Sequence, residues 1–166
     1  GVRVVQRRGQ LMQEAVPIGQ GGMAAVMGLD NVSIDRACQR ACESVSKGTV
    51  QPANLNAPGQ VVISGTQEAL QKASALCEEA GAKRVVPLNV SAPFHSALME
   101  PAAQSLSETL DAVTFSAPRI PIVQNVLAAT SDSIELIKNN LVTQLYSAVR
   151  WSESIEFLKR AGVDQV

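Results

Sequence analysis

The feature that most constrains the fold is the alternation of two hydrophobic patterns between residues 22 and 90. Short apolar runs bounded by turn residues, typical of strands, alternate with apolar stripes spaced three or four residues apart, typical of helices. The strand candidates are GGMAAVMGL, TVQPANL, QVVISG and KRVVPLNV. The helix candidates are VSIDRACQRACESV and the segment between Thr66, which can cap it, and Gly81, which ends it. Their order, strand-helix-strand-strand-helix-strand, predicts a ferredoxin-like (βαββαβ) unit.

The residues on either side of this unit have a different pattern. Apolar spacings of three, four and seven predict an amphipathic helix over residues 2–15. After the unit, similar spacing predicts helices over residues 98–110, 134–145 and 152–161, and the apolar run RIPIVQNV predicts a strand over residues 119–126. Predicted helices combined with a predicted strand are typical of an α/β domain, and these segments lie outside the small unit.

We therefore predict an α/β chain in which residues 18–90 form a ferredoxin-like subdomain. This subdomain is inserted between residues 1–17 and 91–166, which we predict to be parts of a larger, incomplete α/β domain. The chain begins without a methionine, inside a predicted helix, and ends in AGVDQV, where a new apolar run begins. We expect it to be a fragment of a longer protein.

Charge and composition argue against several classes of partner. The net charge is −1 and the sequence pI about 5.9, which gives no general electrostatic attraction to nucleic acid or to an anionic membrane. No apolar run approaches the length of a membrane span and no signal-peptide pattern opens the chain, so we expect a cytoplasmic protein. Cys38, Cys42 and Cys77 lack the spacing of a zinc site, so we expect them to be buried apolar residues and predict no metal.

Arg8 is an unusual residue because its position falls on the apolar stripe of the first predicted helix. The stripe consists of Val4, Val5, Leu11, Met12 and Ala15. A guanidinium keeps its charge when it is buried, so it needs several acceptors or an anion. The side chain can extend to solvent or hold a neighbouring carbonyl, or it can form a bidentate pair with a carboxylate, and spacing alone leaves both interpretations open.

His95 is the only histidine of the chain and stands where an apolar run ends and a helix is about to begin. Loops at strand ends present reactive side chains from a rigid frame. A general base would also need a nucleophile within reach and an acceptor for its second ring nitrogen. The chain has no Gly-x-Ser-x-Gly motif, and Ser91 and Ser96 are interpreted as turn or cap residues. A structural role and a catalytic role both remain open.

Three segments, QRRGQLMQEAVP, NLNAPGQVVISG and VSAPFHSALMEPAA, resemble the malonyl-CoA:acyl-carrier-protein transacylases and the related acyltransferase domains of polyketide synthases. MAAVMGLD, GAKRVVPL and VTQLYSAVRW extend the resemblance over nearly the whole chain. It implies an α/β-hydrolase-like domain interrupted by a ferredoxin-like subdomain. It also implies a ping-pong reaction, in which a serine takes malonyl from coenzyme A and gives it to the phosphopantetheine thiol of acyl carrier protein.

The resemblance also implies roles for single residues of the reaction centre. His95 would be the base that activates the serine and then the thiol, and its second ring nitrogen would bond the backbone carbonyl of Gln144. Arg8 would pair with the malonyl carboxylate. No cofactor is implied, because the coenzyme A thioester is a substrate.

Three further residues are implied to contact the substrate. Phe94 would fill the space that an α-methyl group needs, and Met12 would line the same pocket. Arg84 would lie near the mouth of the cleft, facing the phosphates of coenzyme A or an acidic carrier protein.

Two alternatives remain open at this point. The chain can belong to an acyltransferase domain of a polyketide synthase, or it can be a non-catalytic, ferredoxin-like binding module. The serine motif Gly-His-Ser-x-Gly is missing from the chain, so we expect the intact protein to be active and this chain alone to be inactive.

Overall fold

The computed structural model describes residues 1–165 and has a mixed α/β architecture. Its helices are α1 (Val2–Glu14), α2 (Asn31–Ser44), α3 (Gln67–Glu79), α4 (Glu100–Asp111), α5 (Ile134–Thr143) and α6 (Trp151–Arg160). Its strands are β1 (Gly21–Met27), β2 (Val50–Ala57), β3 (Gln60–Thr66), β4 (Arg84–Pro87), β5 (Val123–Gln124) and β6 (Ala129–Thr130).

The first four strands form an antiparallel sheet in the order β2-β3-β1-β4. Helices α2 and α3 pack together on one face of this sheet, because each carries one apolar stripe. The core between helices and sheet includes Val26, Ile34, Ala41, Ile63 and Cys77. Cys38 and Cys77 are buried in this core, as the sequence predicted, whereas Cys42 is only half-buried against it.

Local signals set the ends of these two helices. The Asp30 side chain caps α2 by accepting a hydrogen bond of 2.9 Å from the backbone N–H of Ser33. The prediction that Thr66 caps α3 with its side chain is wrong, because its hydroxyl instead lies 3.5 Å from the carbonyl oxygen of Thr49. Gly81 follows α3 with a φ of 97°, which suits glycine at a helix end.

A second core lies outside the sheet and joins α1 to α4 and to the end of α5. Helix α1 packs against α4, so that Leu11 and Met12 meet Met99 and Leu106. Leu145, just after α5, is fully buried in the same cluster. The first helix is thereby fixed beside the loop that precedes α4, which is the loop that carries His95.

Two predicted strands are shorter in the structure. Only Val123 and Gln124 of residues 119–126 pair, and they pair with the two residues of β6. Pro118 and Pro121 have no N–H to donate, and no other strand within residues 1–165 pairs with this segment. The predicted strand KRVVPLNV pairs only as far as Pro87.

A short backbone bridge connects the sheet to the C-terminal segment. The N–H of Val149 donates to the carbonyl of Ala53 at 2.8 Å, and the N–H of Leu55 donates to the carbonyl of Val149 at 2.9 Å. Val149 therefore lies beside Asn54 at the open edge of β2. No helix within residues 1–165 is both long and apolar enough to cross a membrane.

Candidate active site

A cleft of about 420 Å³ lies where α1, the sheet and the His95 loop meet. Its lining residues are Arg8, Gly9, Met12, Met23, Asn54, Leu88, Phe94 and His95. Most of these side chains are apolar, and only a guanidinium, an amide and an imidazole bring polar groups. Such a combination is typical of a site that holds a small molecule in one orientation.

The backbone of His95 is held in a conformation that few residues adopt. Its φ is 57°, in the left-handed region, where the Cβ of a non-glycine residue approaches the backbone closely. Such a geometry costs about 1–3 kcal/mol and persists only when the surroundings enforce it. Ser96, the next residue, is fully buried and its hydroxyl donates to the carbonyl oxygen of Pro93 at 2.7 Å.

The ring of His95 is oriented by a backbone carbonyl. Its Nδ1 lies 2.8 Å from the carbonyl oxygen of Gln144, so in the neutral ring Nδ1 carries the proton and Nε2 does not. Burial lowers the pKa of His95 below its ordinary value of 6.5, and the hydrogen bond to Gln144 opposes this effect. The charge of Arg8 lowers this pKa further. The imidazole is therefore neutral at neutral pH and can accept a proton at Nε2.

Arg8 lies in the same cleft and its guanidinium is partly removed from water. Burial lowers the pKa of Arg8, yet the group remains charged at any physiological pH. The two ion pairs found within residues 1–165 are Lys138–Asp111 and Arg150–Glu153, so no carboxylate of the described residues neutralises Arg8. A half-buried cation without an anionic partner is suited to bind an anion from outside.

The structure brings four of the six predicted site residues to the cleft and leaves two outside. Arg8, Met12, Phe94 and His95 line it together. Gln144 does not line the cleft: its backbone carbonyl faces His95, and its side chain donates to the carbonyls of residues 147 and 148 at 3.0 and 3.3 Å.

Arg84 is also outside the residues that line the cleft. It pairs with Met27 at the far end of β1, while the cleft lies at the opposite end beside Met23 and Leu88. The Arg84 side chain is exposed to solvent.

Sequence reasoning did not single out four of the lining residues, which are Gly9, Met23, Asn54 and Leu88. Met23 and Asn54 come from β1 and β2, on the sheet face that α2 and α3 leave uncovered. The alternation of side chains along a strand could have placed Asn54 on that face, but not beside His95. Within residues 1–165 no group of three or more metal-ligating side chains is assembled.

The sequence is similar to that of several bacterial enzymes. It is 50% identical over 165 residues to the malonyl CoA-acyl carrier protein transacylase of Salmonella typhimurium. The aligned region covers 99% of this chain and 52% of that relative. The enzyme of the same name from Bacillus subtilis is 47% identical over 162 residues, covering 98% of this chain and 50% of the relative. The chain thus spans about half the length of the curated relatives it matches.

Solved structures show the same likeness. An acyl carrier protein S-malonyltransferase from Vibrio cholerae superposes with a TM-score of 0.95 at 47% identity, over 98% of this chain and 52% of that one. A malonyl-transacylase in complex with a type II polyketide synthase acyl carrier protein superposes with a TM-score of 0.94 at 49% identity, with the same coverage. A model of the acyl transferase domain family matches residues 1–165. The chain therefore belongs to the acyl transferase domain family.

Proposed function

We propose that this chain is the part of a malonyl transacylase that holds the general base and the carboxylate-binding arginine. The full-length protein transfers malonyl from coenzyme A to the phosphopantetheine thiol of an acyl carrier protein through a serine ester. The observation that carries the proposal is that Arg8, without an anionic partner among residues 1–165, lines one cleft with the neutral imidazole of His95.

Arg8 is suited to recognise the free carboxylate of malonyl. Its planar guanidinium offers parallel donors that match both oxygens of a carboxylate, and the apolar walls of the cleft strengthen this pairing. An acetyl group has no carboxylate and leaves the guanidinium without a partner. Arg8 therefore selects a dicarboxylic acyl group over a simple one.

His95 is suited to move a proton in both halves of the reaction. Its Nε2 takes the proton of the serine hydroxyl as the oxygen attacks the thioester carbonyl, and gives it to the sulfur of the departing coenzyme A. In the second half it takes the proton of the phosphopantetheine thiol as the sulfur attacks the ester, and returns it to the serine oxygen. The serine is supplied by a part of the protein outside this chain.

The finer description of the fold belongs to the same proposal. The order β2-β3-β1-β4 and its two helices support a ferredoxin-like subdomain over residues 18–90. Residues 1–17 and 91–166 are then parts of an α/β-hydrolase-like domain. The roles of Met12 and Phe94 in the acyl pocket and the cytoplasm as location stay predictions. A contact of Arg84 with the phosphates of coenzyme A or with an acidic carrier protein also stays a prediction, and it would lie outside the residues that line the cleft.

The carrier protein can belong to fatty acid or to polyketide synthesis. The similarity to a malonyl-transacylase solved with a type II polyketide synthase carrier supports the second possibility as well as the first. A non-catalytic binding module has less support, because the family match also includes α1 and α4, outside the small sheet.

The experiment that tests the carboxylate role compares two acyl donors in the full-length protein. Arg8→Ala is expected to reduce malonyl transfer about 100-fold or more, because a charge-assisted pair is lost, and to leave acetyl transfer equal or increased. Arg7→Ala is the matched control, since Arg7 is exposed on the same helix. Equal losses for malonyl and acetyl would contradict the assignment.

The base is tested by following formation of the acyl-serine directly. His95→Asn removes the proton acceptor but tolerates a positive φ, so the loop keeps its shape. Labelling by radioactive malonyl-CoA is expected to slow about 100-fold or more. Labelling at the wild-type rate would show that another group is the base.

A further inference from the structure

One side chain on β2, that of Gln51, contacts both segments that fix the position of His95. Its Oε1 accepts a hydrogen bond of 3.1 Å from the backbone N–H of Ala97. Its Nε2 lies 3.4 Å from the carbonyl oxygen of His95 and 3.3 Å from that of Tyr146. Both ends of the amide are thus used, the oxygen toward a donor and the nitrogen toward two acceptors.

The first two contacts lie directly after the strained residue. The carbonyl of His95 and the N–H of Ala97 belong to the peptide groups that follow the left-handed φ of 57°. Strain of this kind is maintained only by bonds that would be lost on relaxation. Gln51 supplies two such bonds from a strand of the sheet, which is a more rigid element than the loop itself.

The third contact reaches the segment that orients the imidazole. Tyr146 comes two residues after Gln144, whose carbonyl oxygen accepts the Nδ1 proton of His95. The segment is also bridged to β2 through Val149, whose backbone bonds Ala53 and Leu55 on both sides of Asn54. The loop of His95 and the segment of Gln144 are 49 residues apart in sequence, and β2 is the frame that both share.

We propose that Gln51 is a positioning residue for His95, which holds the loop that presents the imidazole and the segment that carries its carbonyl acceptor in one fixed geometry. The inference rests on the proposed function, since it assigns the purpose of this geometry to general base catalysis. Gln51 does not line the cleft, so it acts through His95 and not by contact with the acyl group.

The geometry has a definite chemical consequence. When the bond from Nδ1 to the carbonyl of Gln144 is kept, the proton stays on Nδ1 and the lone pair of Nε2 is available. When Gln51 is removed, the loop relaxes, this bond lengthens and the imidazole samples the tautomer with its proton on Nε2. That tautomer cannot act as a base at the cleft.

The first experiment is a double-mutant cycle in the full-length protein. Gln51→Ala is expected to lower the kcat of malonyl transfer about ten-fold, with the KM for malonyl-CoA changed by less than about two-fold. In the His95→Asn background the same change is expected to have no further effect, because both substitutions remove one function. Gln71→Ala, on the exposed face of α3, is the matched control.

The outcomes separate this inference from the proposed function. A wild-type protein that transfers no malonyl overturns the proposed function. A wild-type protein that is active and keeps its kcat in Gln51→Ala overturns only the role of Gln51. If Gln51→Ala lowers kcat by the same factor in the wild-type and the His95→Asn backgrounds, the substitution has a general effect on folding, and this result also overturns the inference.

The second experiment reads the imidazole by ¹⁵N NMR of the full-length protein. The pair of ring-nitrogen signals that His95→Asn removes belongs to His95, the only histidine of residues 1–166, and reports which nitrogen carries the proton. Wild type is expected to carry it on Nδ1, and Gln51→Ala to give a mixture of tautomers. Gln51→Asn is a second variant that preserves polarity but is one methylene too short for all three contacts. An unchanged Nδ1 signal in both variants would overturn the inference.

Discussion

At the scale of single residues, the site depends on one cation and one neutral base that share an apolar cleft. The cation influences the base, because the charge of Arg8 lowers the pKa of His95 and so keeps the imidazole neutral and able to accept a proton. Helical spacing was enough to place Arg8 on the inner face of α1. It could not show that the guanidinium lacks a carboxylate partner within residues 1–165, since this depends on which acidic residues the fold brings near.

The backbone geometry of His95 was beyond sequence reasoning for a similar reason. A φ of 57° is enforced by neighbours, not by the preferences of histidine. The contact with the carbonyl of Gln144 was expected only from the resemblance, and the structure contains it at 2.8 Å. The contacts of Gln51 left no sequence signal, because a half-buried glutamine on a strand has no distinctive pattern.

Phe94 offers a prediction about acyl selection. Its ring is half-buried and lines the cleft together with Arg8 and His95, and we predict that it limits the room beside the acyl α-carbon. Phe94→Ser in the full-length protein is expected to improve methylmalonyl transfer relative to malonyl by about 10-fold or more, the value of one excluded methyl group. The measurement is the ratio of kcat/KM for the two coenzyme A thioesters, and an unaltered ratio would place selection elsewhere.

At the scale of elements, the small sheet and its helices were predictable because each carries a complete local signal. The strands are bounded by glycine and turn residues, and the helices α2 and α3 have unbroken apolar stripes. The segment 119–126 is apolar too, yet apolarity alone does not supply a pairing partner. Its Ile120 and Ile122 remain 74% and 45% exposed, so the pattern indicated burial that the described residues do not provide.

Substitution of two glycines by alanine is expected to change the free energy of unfolding in opposite directions. A Cβ at Gly65 on β3 would overlap the carbonyl oxygen of Thr49, whereas a Cβ at Gly9 in α1 would meet no atom within 4 Å. Gly65→Ala is expected to lower the free energy of unfolding by about 2–3 kcal/mol. Gly9→Ala is expected to raise it by about 1 kcal/mol, because alanine loses less backbone entropy in a helix.

Chemical denaturation of the two variants and wild type measures both effects. A neutral result at Gly65 would mean that β3 can move away from Thr49, the residue before β2, without cost. Destabilisation at Gly9 would mean that α1 is not helical at that position in solution.

At the scale of the whole molecule, the cleft combines parts that are distant in sequence. Arg8 comes from the N-terminal helix, Asn54 from the middle of the sheet, and His95 from a loop oriented by residue 144. Patterns along the chain can place a residue on a face, but only the packing of α1 on α4 and the bridge at Val149 bring these faces together. The resemblance to a family supplied this information in advance, whereas periodicity could not.

The same assembly makes the stability of the molecule depend on pH. The unfolded chain binds a proton at His95 near the ordinary pKa of 6.5, while the folded chain binds it only at lower pH. Below 6.5 the unfolded state therefore holds more protons, and the free energy of unfolding falls as the pH decreases toward the folded pKa. Above 6.5 both states are neutral at this residue and the effect disappears.

Denaturation by urea at a series of pH values between about 5 and 7 measures this dependence, and His95→Asn identifies its source. The pKa values of Asp30 and Glu153 are lowered by their hydrogen bonds, so these groups titrate below this range, whereas burial raises the pKa of Asp35 equally in both proteins. Wild type is expected to gain stability with rising pH, and His95→Asn to show a nearly flat profile, since asparagine can keep the bond to the carbonyl of Gln144 without titrating. Parallel profiles for the two proteins would mean that the imidazole is as accessible to protons in the folded chain as in the unfolded one.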